Sequence, residues 1–539
     1  MNKKYNYLLP LLLSIMFALG MLVGTKFSPD SFRAKNNDTH KFKEVISHIN
    51  TSYIDTVNNN KLVELAVKKV INNLDPHSAY ISKSELTAVT QDLQGDFEGI
   101  GIEFNILNDT LIVVSPISGG PSEKLGIKAG DKIITVDEEN IAGVGLTNAD
   151  VRNKLLGKKG TIVKVEILRN GNKEVLAFDI VRDKIPIYSI DAAYMADDKT
   201  AYIKINRFSA KTASEFVKAL NKLENEGMQN LILDLGENPG GYLQVAFQVT
   251  DQFFNSKKII VYTKGRARKR EEYYSSKRGG FKTGKLVVLI DEGSASASEI
   301  VAGAVQDWDR GFIIGRRSFG KGLVQEQMEL TDKSALRLTV AKYFTPSGRF
   351  IQKPYKNESK ADYYLDIYNR YLNGELTNKD SIDIPDSLKY QTDGGRIVYG
   401  GGGIIPDFFV AIDTSMNSNY LSQLIHKGLI YKYTLEYLDK NRLVLKKRYP
   451  DFKQFDAKFN TNSIWNDFLT FATKEGVTKN EKDLKSSGEL IKLQLKALIA
   501  RQLFDHGSYF RIINQSNNEF QKAIEVINSD MFDKMGIHY

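Results

Sequence analysis

The 539-residue chain contains no cysteine. That absence excludes a disulfide framework, a thiolate nucleophile and a cysteine-based zinc site, and it leaves the compartment to be read from other features. Histidine is scarce: the six stand at His40, His48, His77, His426, His506 and His538, so residues 78–425 carry none. A Ser-His-Asp triad built from the middle of the chain is therefore excluded, as is histidine-based zinc spacing there, and each histidine is read as structural or superficial. No G-x-x-x-x-G-K-[ST] phosphate loop is present either, which argues against nucleotide chemistry. Proline numbers only 12, and hydrophobic and charged fractions of 42% and 26% describe a globular chain rather than a disordered one. Because single cores stop growing at roughly 250–300 residues, several domains are expected. The formal charge of +9 is spread along the chain except for a cluster at residues 264–270, read as a solvated loop, so nucleic acid is not an expected partner.

What is present begins with a mostly apolar run at residues 7–23 behind Lys3 and Lys4, near the short end of the roughly 17–25 residues that cross a bilayer. No A-x-A-like cleavage pattern follows it, so residues 1–26 are expected to be an uncleaved signal anchor or transmembrane segment with the rest of the chain outside the cytoplasm. Residues 27–90 read as helical, since Phe42, Val45, Ile46 and Ile49, and then Leu62, Leu65, Ala66, Val70 and Leu74, recur at three and four. Asp75-Pro76-His77-Ser78 breaks that pattern.

Residues 91–183 change to short β-branched runs, with candidate strands at 101–106, 110–114, 132–136, 162–169 and 174–180, a tight turn at Asn170-Gly171 and one helix near 148–156. Residues 184–412 alternate strands with amphipathic helices: 201–205 then 212–223, 230–235 then 242–254, 286–291 then 296–308. A hairpin at 323–330 and 335–344 follows, then a polar insertion at about 357–400. Residues 413–539 look helical and carry no assignable chemistry. The expected fold class is multidomain α+β: an N-terminal anchor and helical segment, a β-rich domain, an α/β core and a helical C-terminal extension.

Three strand ends in the α/β core carry candidate chemistry. After the apolar strand at 286–290, residues 293–300 read Gly-Ser-Ala-Ser-Ala-Ser-Glu-Ile, a small-residue turn opening a helix. A serine there stands above the sheet edge beside the positive end of the helix, which suits a nucleophile whose attack creates an oxyanion. The same pattern also suits a helix cap with Glu299 as its box partner. Lys321 lies between Gly320 and Gly322 at the end of another strand, and burial there lowers a lysine's pKa and makes it a usable base. A third strand end opens onto Asn238-Pro239-Gly240-Gly241, whose glycines can present unobstructed N–H groups to an oxyanion.

In combination and order these segments resemble the C-terminal processing peptidases, or tail-specific proteases. The likeness spans about residues 75–407 and includes Leu-Asp-Pro-His-Ser at 74–78, Phe-Gly-Lys-Gly at 319–322 and Thr-Pro-Ser-Gly-Arg at 345–349. The resemblance implies a crotonase- or Clp-protease-like peptidase core, with Ser296 as nucleophile, Lys321 as general base and Gln325 orienting the lysine. It further implies oxyanion donors at Ala297 and at Gly240 or Gly241, and supporting roles for Asp307, Glu299 and Ser318. Ser318 stands where some members have threonine. The sequence reads Gly236-Glu237-Asn238 where many members carry Arg and Asn, so that loop's substrate contacts are not carried over. The β-rich unit resembles a PDZ domain whose carboxylate loop would be Gly99, Ile100, Gly101 and Ile102.

The implied function is an ATP-independent serine endopeptidase of the bacterial envelope, acting on proteins delivered by their C-termini, with no metal and no cofactor. Its expected partners are protein or peptide substrates, the membrane, and a second copy or an adaptor. The rival readings are a catalytically silent PDZ scaffold and a crotonase-like acyl-thioester enzyme. The complete set of Ser296, Lys321, Gln325 and the glycines argues against the first, and the lack of a nucleotide-binding feature against the second.

Overall fold

The computed structural model describes residues 10, 12–20, 37–172, 174–355, 359–537 and 539. The expected anchor at residues 1–26 lies largely outside them. Its described part, 12–20, is helical, and no described helix is long and apolar enough to cross a membrane. The chain divides into two units, Met1–Asn73 and Leu74–Tyr539. The first contains the helices Asn37–Ser52 and Asn59–Asn72, the latter capped by the Asn58 side chain, which accepts from the Lys61 N–H.

Within the second unit, the β-rich region forms a sheet in the order Ile102–Leu107, Thr110–Pro116, Lys132–Val136, Ile162–Leu168 and Leu176–Val181. Its core combines Ile100, Leu111, Val113, Ile133, Val163 and Ile180 with Val151 and Leu155 from the helix Asn148–Leu155. Ile102–Leu107 is an edge strand, and its outer edge pairs with no described strand.

The α/β core is a six-stranded sheet in the order Ile190–Met195, Thr200–Ile205, Asn230–Asp234, Leu286–Ile290, Phe312–Gly315 and Phe408–Phe409. Only the first pairing is antiparallel. Leu286–Ile290 is buried throughout, which explains its unbroken Leu-Val-Val-Leu-Ile sequence. The helices Thr212–Asn225, Leu243–Thr250 and Ala297–Asp307 supply Phe216, Leu220, Ala246, Val249, Val301 and Val305 to one face. Each was expected near these positions, but the second is shorter than the 242–254 pattern because residues 251–253 tighten into a 3₁₀ turn.

Strands not expected from the sequence include Ile190–Met195 at the edge of this sheet, and Ile259–Lys264 and Glu271–Tyr274 in a second sheet. In that second sheet Ala335–Phe344 is central, pairing with Ala79–Ile81, Leu323–Glu329 and Ile259–Lys264. The basic cluster falls on the hairpin between Ile259–Lys264 and Glu271–Tyr274. There Arg268 pairs with Glu326, and Arg270 pairs with Glu272 and lies over the Tyr262 ring.

The C-terminal extension is helical, as expected, and it forms a core of its own around Leu438, Phe455, Phe468, Ile491, Leu495 and Ile499. Its last helices also cover the open face of the α/β sheet. Phe520, Ala523, Val526 and Ile527, spaced as one face of the helix Asn518–Asn528, pack on Tyr202, Ile232, Val287 and Phe312. The extension also touches the β-rich domain through Lys132–Asp439 at 3.1 Å and Arg501–Glu103 at 2.6 Å.

Candidate functional site

Asn230–Asp234, Leu286–Ile290 and Phe312–Gly315 are parallel neighbours, so their carboxyl ends lie side by side and the loops that follow them converge. These are the three loops singled out in the sequence.

In the loop after Leu286–Ile290, the Asp291 carboxylate accepts from the N–H groups of Gly293 and Ser294 and from Glu237 in the neighbouring loop. Ser294 Oγ donates to the Leu235 carbonyl at 2.8 Å. The turn ends at Ser296, the N-cap of the helix Ala297–Asp307, with φ 54° and ψ −107°. That conformation is costly for a residue with a Cβ, and it is held by neighbours: the Ser296 N–H donates to Glu299 Oε2 at 2.7 Å, and Tyr343 donates its hydroxyl to the Ser296 carbonyl at 3.1 Å.

In the glycine loop, the fully buried Asn238 joins two neighbouring elements. Its amide donates to the Ile205 carbonyl and accepts from the Gly240 N–H, while its own carbonyl accepts from Ala295 N–H and Ser298 Oγ. The glycines are sterically required. A Cβ on Gly240 would lie 2.7 Å from the Ala295 carbonyl oxygen and 2.9 Å from Ser296 Cβ, and one on Gly241 would lie 2.1 Å from the Phe208 carbonyl oxygen. Asn238 occupies the Gly240 N–H, whereas the N–H groups of Gly241 and Ala297 have no acceptor among the described residues.

In the lysine loop, Phe319 N–H donates to the Ser294 carbonyl at 2.9 Å. The other attachment is Glu299. Its buried carboxylate accepts from Ser318 Oγ at 2.5 Å, Gly320 N–H at 2.7 Å, Lys321 N–H at 2.9 Å and Ser296 N–H at 2.7 Å. Burial pushes its carboxyl up, while these four donors all favour the charged form. Ser318 Oγ accepts in turn from the Ile404 N–H. Arg370, on the helix Lys360–Leu372 within the polar insertion, donates to the Ser318 carbonyl at 2.8 Å and so braces the same loop.

Ser296, Lys321, Gly241, Gln325, Tyr343 and His77 line one cavity of about 430 Å³. Lys321 is lowered to about 8, chiefly by burial and then by the Arg337 guanidinium, against the opposing influence of Glu299 and Asp75. Gln325 donates its amide to Thr339 Oγ1 at 3.3 Å. Asp307 stands at the far end of the Ser296 helix, where it pairs with the buried Arg349 and accepts from the Ser347 N–H at 2.9 Å. It therefore braces the 345–349 turn and does not touch the cavity. In the β-rich domain, Gly101 takes φ +77°, and the carbonyls of Ile100 and Gly101 accept from Ser122 and Ile117, which holds residues 99–102 as a formed loop ahead of the edge strand.

The sequence reading took His77 for structural or superficial, whereas it reaches the cavity with its ring bonded to Tyr363 Oη at 3.1 Å and is driven down to about 3 by burial and the nearby Lys321. That reading left out Tyr343 and the bridging role of Asn238. Asn238 was open to discovery as a turn-forming residue before Pro-Gly-Gly. Tyr343 carried no local signal.

Replacing Glu299 by Gln keeps its shape but turns an NH₂ group toward N–H and O–H donors. Glu299→Gln is expected to lower unfolding stability by about 2–4 kcal/mol. An unchanged urea unfolding midpoint would show that the carboxylate does not hold the loops together.

Family models match this chain in three places: peptidase family S41 at residues 199–360, a PDZ domain at 99–180 and a family of unknown function at 420–505. The carboxy-terminal-processing protease of Bartonella bacilliformis is 38% identical over 317 residues, covering 58% of this chain and 72% of that protein. The carboxy-terminal processing proteases CtpB and CtpA of Bacillus subtilis are 36% and 34% identical over 327 and 344 residues. Those matches cover 60% and 62% of this chain, and 67% and 73% of the two proteins.

Proposed function

Since the chain belongs to peptidase family S41 as a carboxy-terminal processing protease, a serine endopeptidase, we propose that Ser296 is its nucleophile and Lys321 its general base. The observation that carries this assignment is that Ser296 and a lysine lowered to about 8 line one cavity beside the N–H of Gly241, which has no acceptor among the described residues.

In the first step the neutral Lys321 amine takes the Ser296 Oγ proton as Oγ bonds to the scissile carbonyl carbon. The carbonyl oxygen becomes an oxyanion, held by the N–H groups of Gly241 and Ala297 and by the positive end of the Ala297–Asp307 helix. The Lys321 ammonium then returns its proton to the departing amine, the C–N bond breaks, and an acyl ester remains on Ser296. Water, deprotonated by Lys321, attacks that ester, and the peptide carboxylate and Ser296 Oγ–H are released. Gln325 directs the lysine amine. Glu299, Ser318 and Asp307 act through the loops they hold, and Gly240 acts by its close packing on the Ser296 turn.

The PDZ domain takes peptide substrates by their C-termini. Residues Gly99, Ile100, Gly101 and Ile102 are proposed to hold the terminal carboxylate, with the open edge of Ile102–Leu107 pairing the peptide as an added strand. We also propose that the apolar run at residues 7–23 tethers the protein to the bacterial envelope membrane, with the peptidase on the extracytoplasmic side.

Four outcomes test these assignments. With a base of pKa about 8, roughly one tenth of the enzyme holds neutral Lys321 at pH 7 and half at pH 8, so kcat/KM rises with pH through that value. Lys321→Arg, whose guanidinium keeps its proton throughout this range, is expected to be nearly inactive, and near-wild-type turnover by it would remove Lys321 as the base. Amidating the C-terminus of an unstructured protein substrate is expected to weaken both binding and cleavage, and equal rates on the two forms would take residues 99–102 out of carboxylate recognition. After cell lysis the full-length protein is expected to sediment with membranes, and recovery in the soluble fraction would count against the tether.

A further inference from the structure

The segment that places His77 in the cavity also brings a carboxylate, and the bonds around it have only one consistent direction. The three-residue strand Ala79–Ile81 pairs antiparallel with Ala335–Phe344, Ala79 opposite Arg337, so the residues before it run past Thr339. The contact is made on both sides: Thr339 N–H donates to Ser78 Oγ at 3.1 Å, and Thr339 Oγ1 lies 3.0 Å from Asp75 Oδ1. On the other edge of the same strand, Gln325 is the cross-strand partner of Thr339, with its amide nitrogen 3.3 Å from Thr339 Oγ1. A bulge between Val324 and Gln325 sets that register.

We propose that Asp75 and Thr339 are positioning residues for the general base, forming a directional chain from Asp75 through Thr339 to Gln325 that turns the Gln325 amide oxygen toward Lys321. The proposal rests on Lys321 being that base.

Asp75 also accepts from the N–H groups of His77 and Ser78, each at 2.8 Å, and from Ser78 Oγ at 2.6 Å. Burial works to raise its carboxyl, but these bonds and that from Thr339 prevail and hold it below the usual carboxylate range. An ionised carboxylate only accepts, so the single hydroxyl hydrogen of Thr339 is committed to it. Thr339 Oγ1 can then only accept from Gln325, which must present its NH₂ group. The amide carbonyl is left for the cavity. A neutral lysine amine that donates one N–H to that carbonyl keeps its lone pair for the Ser296 proton. Without the chain, Gln325 is free to flip and offer an N–H to that lone pair, which removes the base.

Among the described residues, the charged and titratable groups around Lys321 are Arg337 and Tyr343 from the Ala335–Phe344 strand, Glu299 from the Ser296 helix, Asp75 and His77 from the preceding segment, Tyr242 from the glycine loop and Tyr364 from the Lys360–Leu372 helix. Asp75 favours the ammonium form, so removing its charge lowers the lysine pKa further.

The test measures kcat, KM and the pH profile of the full-length protein on an unstructured protein substrate with a free apolar C-terminus. Thr339→Val, close in shape but without a hydroxyl, is expected to lose at least about tenfold in kcat with little change in KM, and Thr339→Ser to recover most of it. Asp75→Asn is expected to move the acid limb of kcat/KM to lower pH. Should the valine variant fail to fold, Thr339→Ala takes its place, with the same expected loss in kcat and the same rescue by Thr339→Ser. Wild-type turnover by Thr339→Val, equal impairment of the serine and valine variants, or an Asp75→Asn limb that stays or moves up overturns the chain. An active Lys321→Arg would overturn the dyad instead, whereas an inactive Lys321→Arg beside a fully active Thr339→Val overturns the chain alone.

Discussion

The Glu299 carboxylate is the interaction on which the rest of the site depends. Taking an ionised carboxylate out of water costs several kcal/mol, and the fold offsets this with four donors on its two oxygens. One donor is the backbone N–H of Ser296 and three come from Ser318, Gly320 and Lys321, so a single side chain joins the loops that bear the two proposed reacting groups. The sheet brings those loops near each other, and Glu299 fixes their relative position to hydrogen-bond tolerance. Glu299 therefore has two roles at once. It is the N3 residue of a capped helix and the clamp between the Ser296 and Lys321 loops, so the cap and the proposed nucleophile, alternatives in the sequence, fall on the same residue.

Positive and negative groups around the cavity are placed with opposing effects on Lys321. Arg337 and burial favour the neutral amine, while Glu299 and Asp75 favour the ammonium. The result is a lysine lowered to about 8, which suits the proposed taking and returning of a proton near neutral pH. Neutral His77, held by Tyr363, lines the same space without adding a competing charge.

The parts of the fold written in local pattern were legible. Leu286–Ile290, with its apolar run and the glycine turn after it, could be read as a buried strand feeding a helix, and so could the lysine and glycine loops. What joins them was not legible, because it depends on which strands become neighbours. Ala79–Ile81 is too short to leave a periodicity, yet its pairing decides that Asp75 meets Thr339. The helix Lys360–Leu372 lies in what the sequence shows only as a polar insertion, and its buried Arg370 supports the lysine loop only through tertiary contact. The C-terminal helices read correctly as helices, but an apolar stripe does not say which surface it will cover. Here it covers the back of the peptidase sheet.

The backbone at Ser296 bears on how this enzyme can vary. At φ 54° and ψ −107° the residue sits where glycine is most at ease and any side chain is strained, by on the order of 1–3 kcal/mol. Stability and chemistry are therefore opposed at one position: glycine would relax the turn and remove the hydroxyl, while alanine would remove the hydroxyl and keep the strain. A chain released from the need to cleave would find a stabilising substitution waiting at its proposed nucleophile. A serine kept here is held in that conformation by Glu299 and Tyr343, so a change at either support bears directly on the proposed nucleophile.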